Sequence, residues 1–270
     1  MDKLKVTNDF VFKKIFGKQE NEELLKDLLV AIIEEPISKI EIQKDASLEK
    51  RLDINKIGVL DIKAILNNKT IANIEMQVKN QYNIVERSLF YWAGLYHNGL
   101  YKGEDYISNK RTISINILNY NCFKEGTYHE VAKIRRGYKN KLLTEDLELH
   151  YIQIPKFIEE NRQTETKLDQ WIQFIGNVSK EGVKEAMIKN KIIKKAKEEL
   201  DYLTGDDETR RLAELRDKAI RDEKTNLRGA KEEGKNEAKM EIAKQMLKQK
   251  ANIEFIVNVT GLTKEEIKKL

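Results

Sequence analysis

Near the start of the chain, apolar residues recur at the three- to four-residue spacing of amphipathic helices. Phe12 and Phe16 share one face of a segment that opens with the capping residue Asn8 and stops at Gly17. Residues 21–34 repeat this pattern with a stripe of leucine and isoleucine. We therefore predict two helices whose main role is to pack on a core.

From residue 37 the pattern changes to the two-residue alternation that is typical of β-strands. The predicted strands cover residues 37–42, 59–66, 70–78, 111–118, 127–134 and 147–154. Between the third and fourth strands, residues 84–100 return to helical spacing and carry Tyr91, Trp92 and Tyr96. We expect these aromatic residues to pack in the core rather than to stack on nucleic-acid bases. Helical and strand patterns in this order indicate an α/β domain.

Beyond Pro155 the pattern is helical almost to the end of the chain. Residues 181–250 mix both signs of charge and contain too few large apolar residues to build a globule of their own. We expect extended helices with a narrow apolar seam. The seam would use Leu212, Leu215, Ala219, Ile242 and Met246. It would be buried either against a second chain, giving a homo-oligomer, or against the first domain of its own chain.

The last residues, 252–270, contain two short helical segments separated by Gly261. Thr263 and Glu266 have the spacing of a capping box, which starts the second segment. This arrangement faintly resembles a helix-turn-helix, but Glu265 and Glu266 would repel phosphate groups. Of the two interpretations, we favour a packing or dimerisation cap over an element that reads DNA.

Composition and charge limit the classes of function. The charged fraction of 35% exceeds the usual ~25%, which fits solvated helices in the second half. A net charge of +5, from 50 basic and 45 acidic residues, neither requires nor excludes a nucleic-acid partner. The single cysteine excludes an internal disulfide and a cysteine-based zinc site, and the three histidines lack metal-motif spacing. No apolar run has the length of a signal peptide or a membrane span, so we predict a cytoplasmic protein without a membrane partner.

Acidic and amide side chains interrupt two of the apolar strands. The first strand carries Asp61, and the second carries Glu75 and Gln77. Burying a carboxylate in a strand is costly unless a partner compensates its charge. A metal ion is the natural compensator, so these two strands are a candidate metal site.

The length of the turn decides whether the two acids meet. With a three-residue turn over residues 67–69, equal steps along both strands place Asp61 directly across from Glu75, with Cβ atoms ~4.5–5.5 Å apart. The period-two alternation then brings Gln77 and Lys79 to the same face. A two-residue turn would instead place the two carboxylates on opposite faces, and the site would not form.

Two converging carboxylates suit Mg²⁺ or another divalent cation, which prefers oxygen ligands and keeps several waters. Such an ion could polarise a scissile phosphate and generate hydroxide. Gln77 could position the water or the phosphate, but an amide cannot act as a general base. The alternative is an edge hairpin whose acids simply face solvent, and the spacing alone favours neither interpretation.

Seven short elements, in order over most of the chain, match those of one known family. They are Asn8-Asp9-Phe10-Val11-Phe12-Lys13-Lys14-Ile15-Phe16, Leu60-Asp61-Ile62, Ile74-Glu75-Met76-Gln77, Glu86-Arg87-Ser88-Leu89-Phe90-Tyr91-Trp92, Gly103-Glu104-Asp105-Tyr106, Ile154-Pro155-Lys156-Phe157 and Thr260-Gly261-Leu262-Thr263-Lys264-Glu265-Glu266-Ile267. Each element is weak alone, but together they are specific. The sequence resembles the Rpn family of recombination-promoting nucleases and transposases, which is part of the PD-(D/E)XK superfamily.

This resemblance implies an α/β fold with a PD-(D/E)XK restriction-endonuclease-like core, in which the elements α-β-β-β-α-β surround a mixed sheet. A C-terminal helical extension follows the core. We accordingly assign residues 1–160 to a nuclease-like domain, residues 161–250 to a charged helical region and residues 251–270 to a short helical hairpin.

The resemblance also assigns the site. The active-site acids of the family correspond to Asp61 and Glu75, and Gln77 stands where the superfamily has a lysine, a departure that this family shares. The implied activity is Mg²⁺-dependent endonucleolytic cleavage of DNA in recombination or mobile-element movement. The alternative function is an inactive nuclease-like module that binds DNA or protein and assembles through its C-terminal helices.

Three basic residues are candidate DNA ligands. Lys63 and Lys79 share the face of the two carboxylates, and Arg87 lies early on the helix after the second strand. Each also has an ordinary interpretation, as a solvated lysine or as an arginine in a salt bridge. Glu22 and Glu23, on the second predicted helix, could complete a metal shell, although periodicity does not fix the direction in which they point.

Overall fold

The computed structural model describes residues 3–43, 61–80, 82–100 and 103–270. These residues form α-helices on both sides of a six-stranded sheet and a separate two-stranded hairpin. The helices are α1 (Asp9–Phe16), α2 (Glu22–Ile33), α3 (Ile84–His97), α4 (Ile154–Glu159), α5 (Lys167–Gly176), α6 (Lys180–Lys189), α7 (Lys191–Gly205), α8 (Asp207–Lys248), α9 (Ile253–Thr260) and α10 (Lys264–Lys268). The strands are β1 (Ile40–Ile42), β2 (Asp61–Leu66), β3 (Thr70–Gln77), β4 (Arg111–Leu118), β5 (His129–Lys133), β6 (Arg135–Arg136), β7 (Lys141–Leu142) and β8 (Leu147–Gln153).

The sheet is mixed and has the strand order β1-β2-β3-β4-β8-β5. Strands β1, β2 and β3 are antiparallel neighbours, β4 runs parallel to both β3 and β8, and β5 is antiparallel to β8. The predicted α/β class and mixed sheet are therefore confirmed. The strand predicted over residues 59–66 is present from Asp61, and Val59 and Leu60 lie outside the described residues.

One face of the sheet carries the main core. Ile62 on β2, Ile74 on β3 and Ile115 on β4 are buried there with the apolar sides of α1, α2 and α5. Phe16 on α1 packs edge-on against Trp171 on α5, with ring centroids 5.6 Å apart. The two helices predicted at the start of the chain thus pack on the core as expected.

Helix α3 belongs to a second apolar cluster, which Leu118, Leu149 and Tyr151 form on the opposite face of the sheet. The indole N–H of Trp92 donates to the carbonyl oxygen of Thr112 at 2.9 Å, and the Tyr96 ring stacks on Trp92. The expectation that the aromatic residues of this helix are core residues is right for Trp92, which packs on this cluster. It is wrong for Tyr91, whose side chain is exposed.

The first helix is tied to the start of α8 by two polar contacts. Asn8 caps α1 by accepting hydrogen bonds from Phe10 N and Val11 N, and its amide donates to Asp217 at 2.7 Å. Asp9 forms an ion pair with Arg216, whose Nε lies 3.0 Å from both carboxylate oxygens. Asp9 is 7% and Arg216 9% exposed. We call this buried ion pair the Asp9–Arg216 latch.

The chain forms two compact units, Met1–Asp217 and Lys218–Leu270. The first continues past residue 160, because Trp171, Ile193 and Ala213 belong to the main core. How the chain divides into independently folding domains stays a prediction. For the helices up to Asp217, packing against the chain's own core is what the structure shows.

The second unit has a small core of its own. Ala243, Ile256, Leu262 and Ile267 are buried together, and Met246 packs against them. Thr263 and Glu266 form the predicted capping box at the start of α10. The predicted helical hairpin is therefore folded against the last turns of α8.

The apolar seam predicted for the long helix differs from the observed one. Leu215 is 36% and Ile242 46% exposed, whereas Ala213 and Ala243 are buried. The distance between packed helices depends on the side chains at the contact, and small alanine side chains let the helix approach its neighbours closely. The prediction is therefore wrong for Leu215 and Ile242, whereas Leu212 and Ala219 are half-buried and Met246 packs against the small core of the second unit.

Candidate active site

The site begins with the turn between β2 and β3. Leu66 pairs with Thr70, so the turn has the three residues that were predicted. Asn67 and Asn68 adopt positive φ values of 50° and 60°, a backbone conformation that asparagine tolerates better than most residues. Lys69 N donates to the Leu66 carbonyl at 2.9 Å and closes the turn. The polar Asn-Asn-Lys sequence thus sets the register of the whole hairpin.

This register places Asp61 directly opposite Glu75, which confirms the predicted geometry. The side chains of directly paired residues share one face of an antiparallel sheet. Glu75 is only 5% exposed, and Asp61 at the start of β2 is half-buried. Two carboxylates from neighbouring strands therefore converge on the face of the sheet opposite the main core.

Burial dominates the electrostatics of Glu75. Burial raises the pKa of Glu75 to about 7, the Arg87 guanidinium offsets part of this rise, and the charge of Asp61 adds to it. Arg87 Nη2 lies 2.9 Å from Glu75 Oε1. The Gln77 amide donates to the same carboxylate oxygen. Glu75 is thus a carboxyl group with too little nearby positive charge to be fully ionised below pH 7.

The donor set fits a hard divalent cation. Asp61 and Glu75 supply carboxylate oxygens, and Gln77 adds an amide beside them. Magnesium is typically held by one or two carboxylates and keeps several waters. Over the residues that the structure describes, no group of three or more His, Cys, Asp or Glu is arranged to hold a metal. Since magnesium keeps several of its waters, water and substrate oxygens would complete the shell.

The three predicted DNA ligands have different surroundings. Lys63 is exposed on β2 and pairs in register with Asn73, two positions from Asp61. Lys79 lies two residues beyond the end of β3, and its ammonium nitrogen is buried. Arg87 is in an ion pair with Glu75, as its ordinary interpretation predicted. Lys63 is therefore the most accessible of the three to a DNA backbone.

Glu22 and Glu23 do not join the site. Both lie at the start of α2, which packs on the main core across the sheet from Glu75. Glu23 forms an ion pair with Lys195 at 2.7 Å, and Glu22 accepts a hydrogen bond from Gln19. The hypothesis that they complete a metal shell is wrong, because the buried stripe of α2 fixes its orientation.

A buried polar pair next to Glu75 was missed by sequence reasoning. Asn116 on β4 is the register partner of Glu75 and is 1% exposed. Its Oδ1 accepts from the Ser88 hydroxyl at 3.2 Å, and its Nδ2 donates to the His150 carbonyl. Ser88 is the neighbour of Arg87 on α3, so this pair helps to hold Arg87 over the site. The signal was present as the polar residues Thr112, Ser114 and Asn116 at alternate positions of the predicted strand over residues 111–118.

Tyr120 is a second residue that was missed. It follows β4 by two positions and packs against the apolar cluster that contains Leu118 and Tyr151. Burial raises the pKa of Tyr120 far above its ordinary value, with further contributions from Cys122 and Glu75. The phenol is therefore held in its neutral form, close enough to Glu75 for that carboxylate to contribute to the shift.

The face of the sheet opposite Glu75, which carries the main core, also holds a buried row of polar side chains. Arg111 and His150 both contact Glu148, with His150 Nε2 3.0 Å from the carboxylate. His129 Nε2 lies 2.9 Å from His150 Nδ1. Although burial opposes ionisation, hydrogen bonds from His150 and Arg111 lower the pKa of Glu148 to about 2. We assign a proton to His150 Nε2, which leaves its Nδ1 to accept from His129.

This row of hydrogen-bonded polar side chains makes the stability of the fold sensitive to acid. Burial, with a smaller effect of His150, lowers the pKa of His129 from 6.5 to about 4. As pH falls, the histidine binds a proton in the unfolded chain before it does so in the folded one. The free energy of unfolding therefore decreases by about 3 kcal/mol between pH 6.5 and pH 4.

His129→Gln should remove that decrease, and urea unfolding of both proteins across this range measures it. His97→Gln, at an exposed helix end, is the matched control. An equal acid dependence in His129→Gln and wild type would contradict the assignment.

None of the helices in the described ranges has the length and apolar character needed to cross a membrane.

Two family models match the chain. Residues 6–230 match the PD-(D/E)XK nuclease family transposase, and residues 236–270 match the C-terminal HTH domain of the Rpn/YhgA-like nuclease family. Comparison with curated proteins and with solved structures gave no significant match. The two models indicate a nuclease-like function in recombination or transposition, with a DNA-binding domain at the C-terminal end.

The second match corrects the preference for a packing cap at residues 252–270. That preference rested on the acids Glu265 and Glu266, which were taken to repel phosphate. Glu266 in fact closes the capping box, since its carboxylate accepts from Thr263 N at 2.7 Å. This acid has a local role in starting α10, so its presence is compatible with a helix-turn-helix.

Proposed function

This chain belongs to the PD-(D/E)XK nuclease family of transposases, and we propose that it is a Mg²⁺-dependent DNA endonuclease that acts in recombination or in mobile-element movement. The observation that carries the proposal is the pairing of Asp61 with Glu75 across β2 and β3. Two acids, one of them almost fully buried, converge where no core packing needs them. Such an arrangement opposes stability in the metal-free protein, which favours a functional reason for it.

Each residue of the site has a distinct task in this proposal. Asp61 and Glu75 hold a divalent cation, which when bound polarises the scissile phosphate and generates hydroxide. Gln77 keeps the Glu75 carboxylate oriented through its amide N–H. Arg87 favours the ionised form of Glu75 and adds positive charge that attracts a phosphate group. The exposed Lys63 supplies further positive charge along the path of the DNA backbone, and the buried ammonium of Lys79 adds positive charge beyond the end of β3.

Supercoiled plasmid provides a direct test. The full chain should nick or linearise plasmid with Mg²⁺ and should leave it intact with EDTA. Asp61→Ala should abolish cleavage without loss of the fold, because it removes one of two neighbouring like charges. Glu41→Gln, an exposed acid on β1 of the same sheet, should cleave like the wild type. Undiminished nicking by Asp61→Ala would mean that another residue, or a contaminating nuclease, is responsible.

One observation favours the alternative of an inactive binding module. Gln77 occupies the position of the superfamily's lysine, and Arg87 already compensates part of the Glu75 charge. A protein of this kind would retard plasmid on a gel in Mg²⁺ without cutting it. The plasmid experiment therefore separates the two functions in one measurement.

We also propose that the second unit binds DNA and brings two chains together. The helix-turn-helix match supports DNA binding, and Leu227 and Ile242 on the Lys218–Leu270 part of α8 are more than 40% exposed, leaving apolar surface for a second copy. Light scattering on the full chain at micromolar concentration should give a dimer. Ile242→Glu should shift it to the monomer, whereas Lys235→Glu, an exposed charge change on the same helix, should not. A monomeric wild type would contradict assembly.

A further inference from the structure

A projecting segment concentrates the positive charge of the protein. We call residues 133–143 the basic hairpin; they comprise the end of β5, the strands β6 and β7 and the turn between them. This segment contains five Lys or Arg residues and no Asp or Glu. The whole chain has 50 basic and 45 acidic residues, so the rest of the chain has 45 of each. The net charge of +5 is therefore equal to the charge of this one hairpin.

The fold of the hairpin holds like charges together. Arg136 on β6 and Lys141 on β7 are direct cross-strand partners. Like charges in such a pair destabilise a hairpin, because their Cβ atoms are only ~4.5–5.5 Å apart. The turn between them is well defined, since Arg135 Nη1 donates to the Asn140 carbonyl at 3.0 Å. An anion bound between Arg136 and Lys141 would convert this repulsion into attraction.

The hairpin also faces solvent. Every residue from 131 to 143 is exposed. Tyr138 at the tip is 93% exposed, and the Lys139 ammonium lies 5.8 Å from the centre of its ring. Lys133 forms an ion pair with Glu148, but no ion pair among the described residues includes Arg136, Lys139 or Lys141. Three cations and an aromatic ring are thus presented to a partner.

Protection of a sheet edge is the ordinary explanation for charges at such a place. Lysine on an edge strand discourages pairing with another chain. This explanation accounts for Lys133, because β5 is the last strand of the sheet. It does not account for Arg136 and Lys141, because β6 and β7 pair with each other beyond the sheet.

We propose that the basic hairpin binds the phosphate backbone of duplex DNA to one side of the catalytic strands. This inference rests on the proposed function, since both use the same DNA. The register runs from Glu75 through Asn116 and Tyr151 to Glu130, so Glu130 on β5 lies level with Glu75 and three strand spacings, about 14 Å, to its side. The hairpin begins three residues further along β5, at Lys133, which adds about 10 Å along the strand. One turn of duplex is about 34 Å long. A single duplex can therefore contact the hairpin and reach the carboxylates together.

Salt-dependent binding of the full chain to a short duplex tests the inference. The triple variant Arg136→Ala, Lys139→Ala and Lys141→Ala is compared with wild type in EDTA, so that cleavage plays no part. Each lost phosphate contact lowers the slope of log affinity against log salt by about 0.9. We expect the slope to fall by about 2 to 3 and the affinity to fall about tenfold or more at 0.1 M salt.

The matched control removes the same charge elsewhere. Lys184→Ala, Lys191→Ala and Lys194→Ala change three exposed lysines on α6 and α7 and should leave the slope near its wild-type value. Melting temperature serves as a second measurement, because removal of the Arg136–Lys141 repulsion should leave it unchanged or raise it. Equal losses in both triple variants, or an unchanged slope in the hairpin variant, would overturn the inference.

Two further arms separate this inference from other outcomes. Vesicles of phosphatidylglycerol and phosphatidylcholine test a membrane partner, and loss of vesicle binding with unchanged DNA binding would overturn the DNA assignment. Plasmid cleavage in Mg²⁺ is measured in parallel. If the hairpin variant binds DNA less well but the wild type does not cleave plasmid, the inference is supported and the nuclease proposal is rejected. If the wild type cleaves plasmid but the hairpin variant binds DNA as well as the wild type, the nuclease proposal is supported and the inference is rejected.

Discussion

Glu75→Gln should inactivate the protein and at the same time stabilise it. The folded state holds the Glu75 proton more tightly than the unfolded chain, because burial raises its pKa from 4.5 to about 7. The contribution of this group to stability therefore falls as pH rises from 4.5 to 7, by about 3 kcal/mol in total. Glutamine resembles the protonated acid and removes this penalty. At pH 8 we expect a gain of roughly 2 kcal/mol, because Arg87 loses its partner and offsets part of the benefit.

Urea unfolding at pH 8 and at pH 5 measures this gain, which should be small at the lower pH. Mg²⁺ should raise the melting temperature of the wild type and have no effect on Glu75→Gln, since a ligand stabilises only a state that binds it. Glu41→Gln is the control for loss of an exposed acid. A Glu75→Gln protein that is less stable at pH 8 than wild type would show that the Arg87 ion pair outweighs burial.

Asp9→Ala should cost about 3–5 kcal/mol of folding stability, because it breaks a buried ion pair by removing the carboxylate that Arg216 binds. Both residues of the Asp9–Arg216 latch are less than one-tenth exposed. Asp9 also accepts a hydrogen bond from Phe10 N in the first turn of α1. Loss of this acid therefore weakens both the first turn of α1 and the contact between α1 and α8. Chemical denaturation followed by fluorescence measures the change in the free energy of unfolding.

The matched control is Glu232→Ala, which removes the acid of an exposed pair with Lys235 on the same long helix. Surface pairs contribute about 0–1 kcal/mol, so this variant should unfold like the wild type. The double variant Asp9→Ala with Arg216→Met should recover part of the loss, because no charge is then left buried. Similar stabilities for Asp9→Ala and Glu232→Ala would mean that solvent reaches the latch.

The β2–β3 hairpin could be predicted from the sequence because its information is local. Alternation gave both strands, the Asn67-Asn68-Lys69 turn gave the register, and the register gave the Asp61–Glu75 pair. A period of two leaves only two choices of face for each residue, so one correct turn length was enough. The assignment of Asp61, Glu75 and Gln77 to catalysis stays a prediction.

Contacts between distant parts of the chain could not be predicted in this way. His129 and His150 were dismissed as metal ligands from their spacing, and nothing local indicated that they would be hydrogen-bonded to each other. Ser88 and Asn116 meet only because α3 lies on the face that β4 presents. The opening Asn8-Asp9 pair looked like a helix start and is one, but its second role depends on a partner 207 residues away.

That separation has a consequence for how the protein is made. At about 5–20 residues per second, roughly 10–40 s pass between the synthesis of Asp9 and the synthesis of Arg216. A chain whose synthesis stops before Arg216 already contains both candidate catalytic acids, but Asp9 in its first helix lacks the arginine with which it forms an ion pair. We expect such a fragment to be less stable than a chain that contains Arg216, and therefore more open to cellular proteases. Persistence of the fold would then depend on synthesis having passed Arg216.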